Sequence, residues 1–552
     1  MNNNSLFLIL QKMRTPFIVL ISVYTISIIG LISIEGVDND GNPYYMSIFD
    51  AFYFISYTAT TIGFGETPYT FSYNQRIWVS MLIYLTVIGW FYSIGTLISL
   101  LQDRVLKKEI DKNKFIKQIK NLREDFFIIL GYNSTTKKII EKSLNKGYRV
   151  VVIEKDEDRV NELLLDSYTP IVPVLQADIQ DPNALEIAGI TSKYCKGLVS
   201  LFENDKLNLR IAITSKTINK KVPLAVKSTT ENQSENLMDV GVEIVENPFH
   251  IISNQIDLSL NTPSIYQIEK WIYNMDNLLK QPLKLPRGLY IICGYGRMGK
   301  EIYKILQKNK IDARFIEIDK EKVDINKDNI LVADADDKEI LKNLDIEKAS
   351  VIIAGTDDDT TNLSLLSTAK KLNKNIITIA RENEIKNYSI FKYSNIDYIF
   401  MPSRILINKT INALVNPMSD KFLYLLKSQT EKFASDLIEK LLLTIGNHPE
   451  LFELKINKKE AFAISTLIEK KENNITLKNL MTTRDEKKEL NNIIALLLQR
   501  GKKFYLLPDN DMILEENDQI LFAASSEAIN DIEYIAQNSY ELEYVLSYAY
   551  KS

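Results

Sequence analysis

Two long runs without a single charge constrain this chain more than anything else in it. Residues Pro16 to Ile34 continue for 19 positions and Ile77 to Leu101 for 25, each predominantly apolar. Either is long enough to cross a hydrocarbon core of about 30 Å as a helix. Between them, Ser47 to Ala59 is apolar and aromatic but too short to cross, so it reads as a re-entrant helix starting near Ser47 or Asp50. Backbone that turns back inside a bilayer survives only where protein surrounds it or water fills a path beside it. The short segment after that helix, Thr60-Thr61-Ile62-Gly63-Phe64-Gly65-Glu66, therefore lines an aqueous path. Gly63 and Gly65 can take positive φ at little cost, so the carbonyls of Thr61, Ile62, Gly63 and Phe64 can face one axis and replace an ion's water shell. A signal peptide is the alternative for the first run, given Lys12 and Arg14 before it. Its length and the lack of an Ala-x-Ala exit count against that.

Lys12 and Arg14 precede the first run and Arg104, Lys107, Lys108, Lys112 and Lys114 follow the second, while Glu35, Asp38 and Asp40 lie between. The positive-inside rule places both termini in the cytoplasm of a cell membrane protein. No Arg-rich further span is present for voltage sensing. In the second run, Gly89 and Gly95 permit either a gating bend or a close helix approach.

Residues 61 to 65, with Thr60 and Glu66 as flanks, resemble the selectivity filter of potassium channels, T-V-G-Y-G-D, with Ile62 for Val, Phe64 for Tyr and Glu66 for Asp. The resemblance implies K+ as the permeant ion and four chains around a common axis. It gives Thr61 a hydroxyl at the inner end, and gives Glu66 a role tethering or charging the outer mouth, unless it is a solvated loop acid.

At 552 residues the chain holds several domains. After a charged helical or partly extended linker, 107–123, a repeat begins. Phe126 to Gly131 and Leu289 to Gly294 are buried-strand runs ending in glycine, each followed 23 residues later by an acid at a second strand end, Glu154 and Glu317. Ala177-Asp178 matches Ala333-Asp334, and the Asn208-Leu209 region matches Asn362-Leu363. Pro248 and Pro263 are 15 apart, as are Pro402 and Pro417, marking a helix, turn, helix extension after each sheet. Strands alternating with helices at this spacing predict two doubly wound α/β, Rossmann-like domains, at 124–285 and 286–440. A small α/β lobe is expected at 441–552, with strands at 451–456, 503–507 and 519–524. The fold class is thus an all-α membrane pore at 1–106 followed by two Rossmann-like domains and that lobe.

The second repeat carries a whole dinucleotide fingerprint, Gly294-Tyr295-Gly296-Arg297-Met298-Gly299, with Glu317 as the expected ribose partner. The first repeat keeps only its opening glycine, since Asn133 and Thr136 occupy the later positions. A nucleotide is therefore expected in the second repeat alone, or in neither if only the turn has been kept. Asp334, Asp336 and Asp337, and Asp357 to Asp359, are either Ca2+ ligands or helix caps.

A two-span pore followed by two such repeats resembles the prokaryotic ligand-gated potassium channels with tandem RCK domains, the regulators of K+ conductance. The resemblance implies a homotetramer in the lipid bilayer and a cytoplasmic gating ring of eight RCK domains. The effectors it suggests are NAD(H), ADP or ATP, or a divalent cation such as Ca2+. An oxidoreductase would explain the fingerprint, but no His, Tyr-Lys or Cys set is poised for hydride chemistry, so no enzyme is expected. A K+ transporter subunit would need several pore repeats in one chain. A net charge of -4 argues against nucleic acid as partner. Cys195 and Cys293 lie far apart in apolar runs, as free thiols of a reducing compartment do.

Overall fold

The computed structural model describes residues 3–323, 329–470, 475–483 and 489–549. It divides into two compact units, one of residues 1–122 with 173–176 and one of 123–172 with 177–552.

The first unit is helical. Asn3–Ser33 and Tyr73–Leu101 are the two long helices, and their apolar stretches Leu10–Ser33 and Tyr73–Leu100 have the length and hydropathy of membrane spans. The second begins at a capping box in which Ser72 and Gln75 satisfy each other's backbone N–H groups. Close approach between the spans is set by Gly30, where a Cβ would lie 2.1 Å from the Trp78 ring. Lys12 pairs with Asp103 near the other end of the pair. Asp103 also caps a separate helix, Arg104–Asn121, by accepting from the Val105 and Leu106 N–H groups. The charged linker is therefore helical from its start, with a break from the span at Gln102 and Asp103.

In the second unit, the first repeat has Phe126–Leu130 running parallel between Arg149–Glu154 and Cys195–Ser200, with Leu224–Lys227 and Ile244–Glu246 beyond. The second repeat orders its strands 330–332, 313–317, 289–293, 349–354, 377–381, 398–400, the doubly wound arrangement. The four prolines each open a helix at its first turn, Pro248–Asn261, Pro263–Ile272, Pro402–Val415 and Pro417–Leu426, where a missing N–H costs nothing. Asn208 and Asn362 make matching bonds in their repeats, each amide donating to the carbonyl of the last residue of a neighbouring strand, Lys227 or Arg381.

The crossover helices are exchanged. Phe249, Ile252 and Ile256 of the first repeat pack in one cluster with Tyr290, Ile302 and Phe315 of the second. In return, Leu414 of the helix Pro402–Val415 presses on Gly197 of the first sheet, where a Cβ would lie 2.9 Å from Leu414 Cδ2. The same helix places half-buried Lys409 against buried Glu246 at 3.3 Å.

The C-terminal lobe is an antiparallel sheet ordered 450–455, 519–524, 493–500, 503–506. The predicted strands are present, together with Ile493–Arg500, which the sequence does not announce. One core joins Ile265 and Trp271 of the first repeat, Phe422 of the second and Leu496 and Leu521 of the lobe. Glu453, in the first of these strands, accepts the Met418 N–H at 2.9 Å, and burial pushes its carboxyl up to about 8. A carboxyl raised in the folded state loses its stabilising proton preference as pH rises from the unfolded value through the folded one. Stability should fall between about pH 4.5 and pH 8. Glu453→Gln should flatten that slope, with a higher Tm than wild type at pH 8 and little difference at pH 5.

Candidate functional sites: the filter loop and the glycine turns

The helix Ile48–Ala59 starts on Ser47, which accepts the Asp50 N–H, and ends against the filter loop. Its carbonyl end carries partial negative charge toward that loop, a favourable field for a cation. Beyond it, Thr61, Gly63 and Gly65 have φ of 63°, 67° and 101°. Positive φ at every second residue turns over alternate peptide planes, so carbonyls that would alternate in an extended strand can share one side. The loop is fixed from behind. Thr61 N–H donates to the Thr58 carbonyl at 3.1 Å and Ile62 N–H to the Tyr57 carbonyl at 2.9 Å. The Tyr57 hydroxyl donates to the Gly65 carbonyl, which leaves the carbonyls of residues 61 to 64 as the candidate ion ligands.

Phe64 packs edge-on against Tyr57 at 5.4 Å and parallel to Tyr53 at 6.5 Å. Glu66 is a tether. Its two oxygens accept Arg76 Nε at 2.9 Å and Nη2 at 3.1 Å, and Oε2 also accepts the Phe71 N–H at 2.8 Å. Tyr57 and Arg76 are the residues that sequence reasoning missed. The aromatic richness of residues 52 to 57 was the signal for the first, and the charge heading the second apolar run the signal for the second. Of the glycines in the second span, a Cβ on Gly89 would lie 3.4 Å from Val23 of the first, whereas one on Gly95 would meet nothing within 4 Å among the described residues. The helix runs unbroken through both.

The glycine turns of the two repeats differ in one decisive respect. In the first, Asn133 caps the helix Ser134–Asn145 by accepting from Thr135 N–H at 2.9 Å and Thr136 N–H at 3.0 Å. The donors that would hold a phosphate are already used. In the second, Gly296 begins the helix Arg297–Lys308 with no side-chain cap among the described residues, and a Cβ there would meet nothing within 4 Å. Gly294, at φ 103°, faces the carbonyl of Gly355, and a Cβ on Gly299 would lie 2.2 Å from the Gly294 oxygen. These two glycines build the turn and the middle one leaves it open, as a pyrophosphate requires.

Glu317 is tied to the turn, accepting the Tyr295 N–H at 2.6 Å and the Asp319 N–H at 3.1 Å. Glu154 does the same for Tyr132 and Asp156. The acid braces the turn in both repeats, and each oxygen keeps a second lone pair with which a ribose hydroxyl could bond. Tyr295 and Met298 are buried core residues. Arg297 is exposed, its guanidinium 4.8 Å from the Phe249 ring, with Arg381 5.6 Å from the same ring. Both border a cavity of about 460 Å³ shared with Asn133, Thr135 and Lys227 of the first repeat.

The acids offered as Ca2+ ligands act in turns. Asp334 accepts the Asp336 N–H and Asp337 caps its helix. Asp358 caps the helix Asp359–Leu372, and Asp359 accepts from Asn383 and Asn387. No three such groups converge on a metal position among the described residues, and Asp336 and Asp357 do not join Asp334 in one. Cys195 and Cys293 are free.

Two span-length apolar helices with a re-entrant helix between them, followed by two doubly wound repeats, make the architecture of a pore-forming membrane protein with Rossmann-like domains. The TrkA-N domain model matches residues 127–248 and 290–402. Potassium channel protein 1 of Methanocaldococcus jannaschii is 31% identical over 258 residues, covering 47% of this chain and 73% of that one. Probable potassium channel protein 2 of the same organism is 29% identical over 268 residues, covering 47% and 70%. Among solved structures, the GsuK channel bound to NAD aligns with 96% of this chain and 99% of its own at 14% identity, with a TM-score of 0.49. The chain belongs to the prokaryotic potassium channels that carry TrkA-N (RCK) domains. It is a K+ channel that carries two such repeats.

Proposed function

We propose that four copies of this chain form a K+-selective pore in the cell membrane, with both termini cytoplasmic, opened or closed by a gating ring of eight TrkA-N repeats. The carbonyls of Thr61, Ile62, Gly63 and Phe64 replace the hydration shell of K+. The alternation of φ from Thr61 to Gly65, braced by Tyr57 and by Glu66 with Arg76, is the observation that carries this reading. Domain limits at 1–106, 124–285, 286–440 and 441–552 suit it. Gly95 is the better placed of the two hinge candidates, because a Cβ there would meet nothing within 4 Å among the described residues.

The effector is a nucleotide, NAD(H), ADP or ATP, held at Gly294 to Gly299 of the second repeat. The uncapped helix start beyond Gly296, against the self-capped one at Asn133, supports that placement. Bound there, a phosphate would receive the free N–H groups of the helix and the charge of Arg297. A ligand shifts the pore only through different affinity for its open and closed forms. The opening to solvent beside Gly296 is what a side chain would close. Calorimetry on the full chain in lipid nanodiscs should therefore detect binding of at least one of NAD, NADH, ADP or ATP, lost on Gly296→Val. No binding, or binding indifferent to that change, would reject the site. Flux repeated with Ca2+ in place of nucleotide separates a divalent effector from this one.

A further inference from the structure

A second cavity, of about 290 Å³, is lined by both repeats and adjoins the first, sharing Glu382, Asn383 and Ser403 with it, while no glycine of either turn lines it. Lys142 reaches it from the first repeat's helix Ser134–Asn145, and Arg404 and Asn408 from the second repeat's helix Pro402–Val415. Neither cation has a carboxylate partner in an ion pair among the described residues. Lys142 Nζ instead donates to Asn408 Oδ1 at 2.6 Å, and Arg404 lies 5.8 Å from the centre of the Tyr388 ring. Burial and the charges of Arg404, Lys138 and Lys146 push the Lys142 ammonium below its ordinary range, and the one carboxyl in the lining, buried Glu382, is pushed up to about 7 by burial and so offsets only part of this positive charge. Asn408 is buried and its Nδ2 has no acceptor among the described residues. An amide left unpaired in this way is costly unless something accepts from it. Ile385, Met401 and Ile407 supply an apolar side to the wall, and Lys138, Glu382, Asn383 and Ser403 complete it.

We propose that this cavity binds a small organic anion, a phosphate monoester or carboxylate on a flat apolar body, between Lys142 of the first repeat and Arg404 of the second. The acid group takes the two cations and the Asn408 amide. The body lies on the Tyr388 ring and the aliphatic wall, as amphipathic ligands do in pockets with few polar groups. Because its cations come from different repeats, the site tightens or loosens with their separation. A ligand there biases the ring independently of the glycine turn.

Phenyl phosphate is the probe, titrated by calorimetry into the full chain in nanodiscs, with inorganic phosphate and phenol as its two halves. Saturable binding is expected, at least tenfold tighter than either half. Arg404→Gln and Lys142→Gln should each weaken it at least tenfold, and Arg404→Lys should weaken it less. Gly296→Val should leave it unchanged, which distinguishes this site from the nucleotide site even where the latter fails. A melting curve for each variant shows whether it is folded. Absent binding, binding indifferent to both Gln variants, or binding lost with Gly296→Val would overturn the proposal. Equal affinity for inorganic phosphate would overturn the apolar part of it.

Discussion

Gly63→Ala is expected to abolish K+ flux while leaving the cytoplasmic repeats folded. Gly63 has φ 67°, and nothing lies within 4 Å of where its Cβ would stand, so the penalty is conformational. An L-residue costs about 1–2 kcal/mol in that region, and in the proposed tetramer that penalty recurs in each of four chains at one ring of ligands. The cheapest relief is rotation of the 63 peptide, which withdraws a carbonyl from the ion path. Flux in liposomes and a thermal melt on the same preparation check both halves of the prediction. Wild-type flux would remove residues 61 to 65 from the conducting role.

The second large effect concerns how the two repeats are held together. Lys409→Met should destabilise the protein by about 3–5 kcal/mol, since it leaves buried acids without their cation. Lys409 pairs with Glu246 of the first repeat. Burial pulls its charge down, but Glu246, Glu269 and Asp420 outweigh that and raise it. Glu269 has a further partner in Lys427 at 2.8 Å, whereas burial pushes Glu246 and Asp420 upward. Three acids and two lysines share this region, and losing Lys409 leaves one cation for all three. The measurement is a denaturation curve of the full chain, with Glu246→Gln added to Lys409→Met as the control. The double variant should recover part of the loss. A single variant as stable as wild type would show that the cluster does not fasten the repeats.

Much of this architecture is local and so was legible. The spans follow from the charge-free runs, and the repeat from Gly131 with Glu154 and Gly294 with Glu317, because a strand, a glycine turn and a strand-end acid are set within about 30 residues. The prolines announced four helices but not their partners. An apolar stripe says that Phe249, Ile252 and Ile256 must be buried, not that they complete the other repeat's core. Ile493–Arg500 went unannounced because Ile-Ile-Ala-Leu-Leu-Leu has neither the period of a strand nor that of an amphipathic helix, being buried along most of its length. At the filter, the glycines were readable from the motif. The positive φ of Thr61 and the grip of Tyr57 and Arg76 were not, since they arise from contacts across three to ten residues of folded loop. At the second glycine turn the missing side chain at Gly296 was readable, whereas the brace that Glu317 forms, shared with Glu154, was not.

The most direct test of the central claim is cation flux through purified protein reconstituted into liposomes, measured for K+, Rb+ and Na+ under the same gradient. Carbonyl ligands set by alternating φ from Thr61 to Gly65 predict that K+ and Rb+ pass far faster than Na+. Na+ flux equal to that of K+ would contradict it.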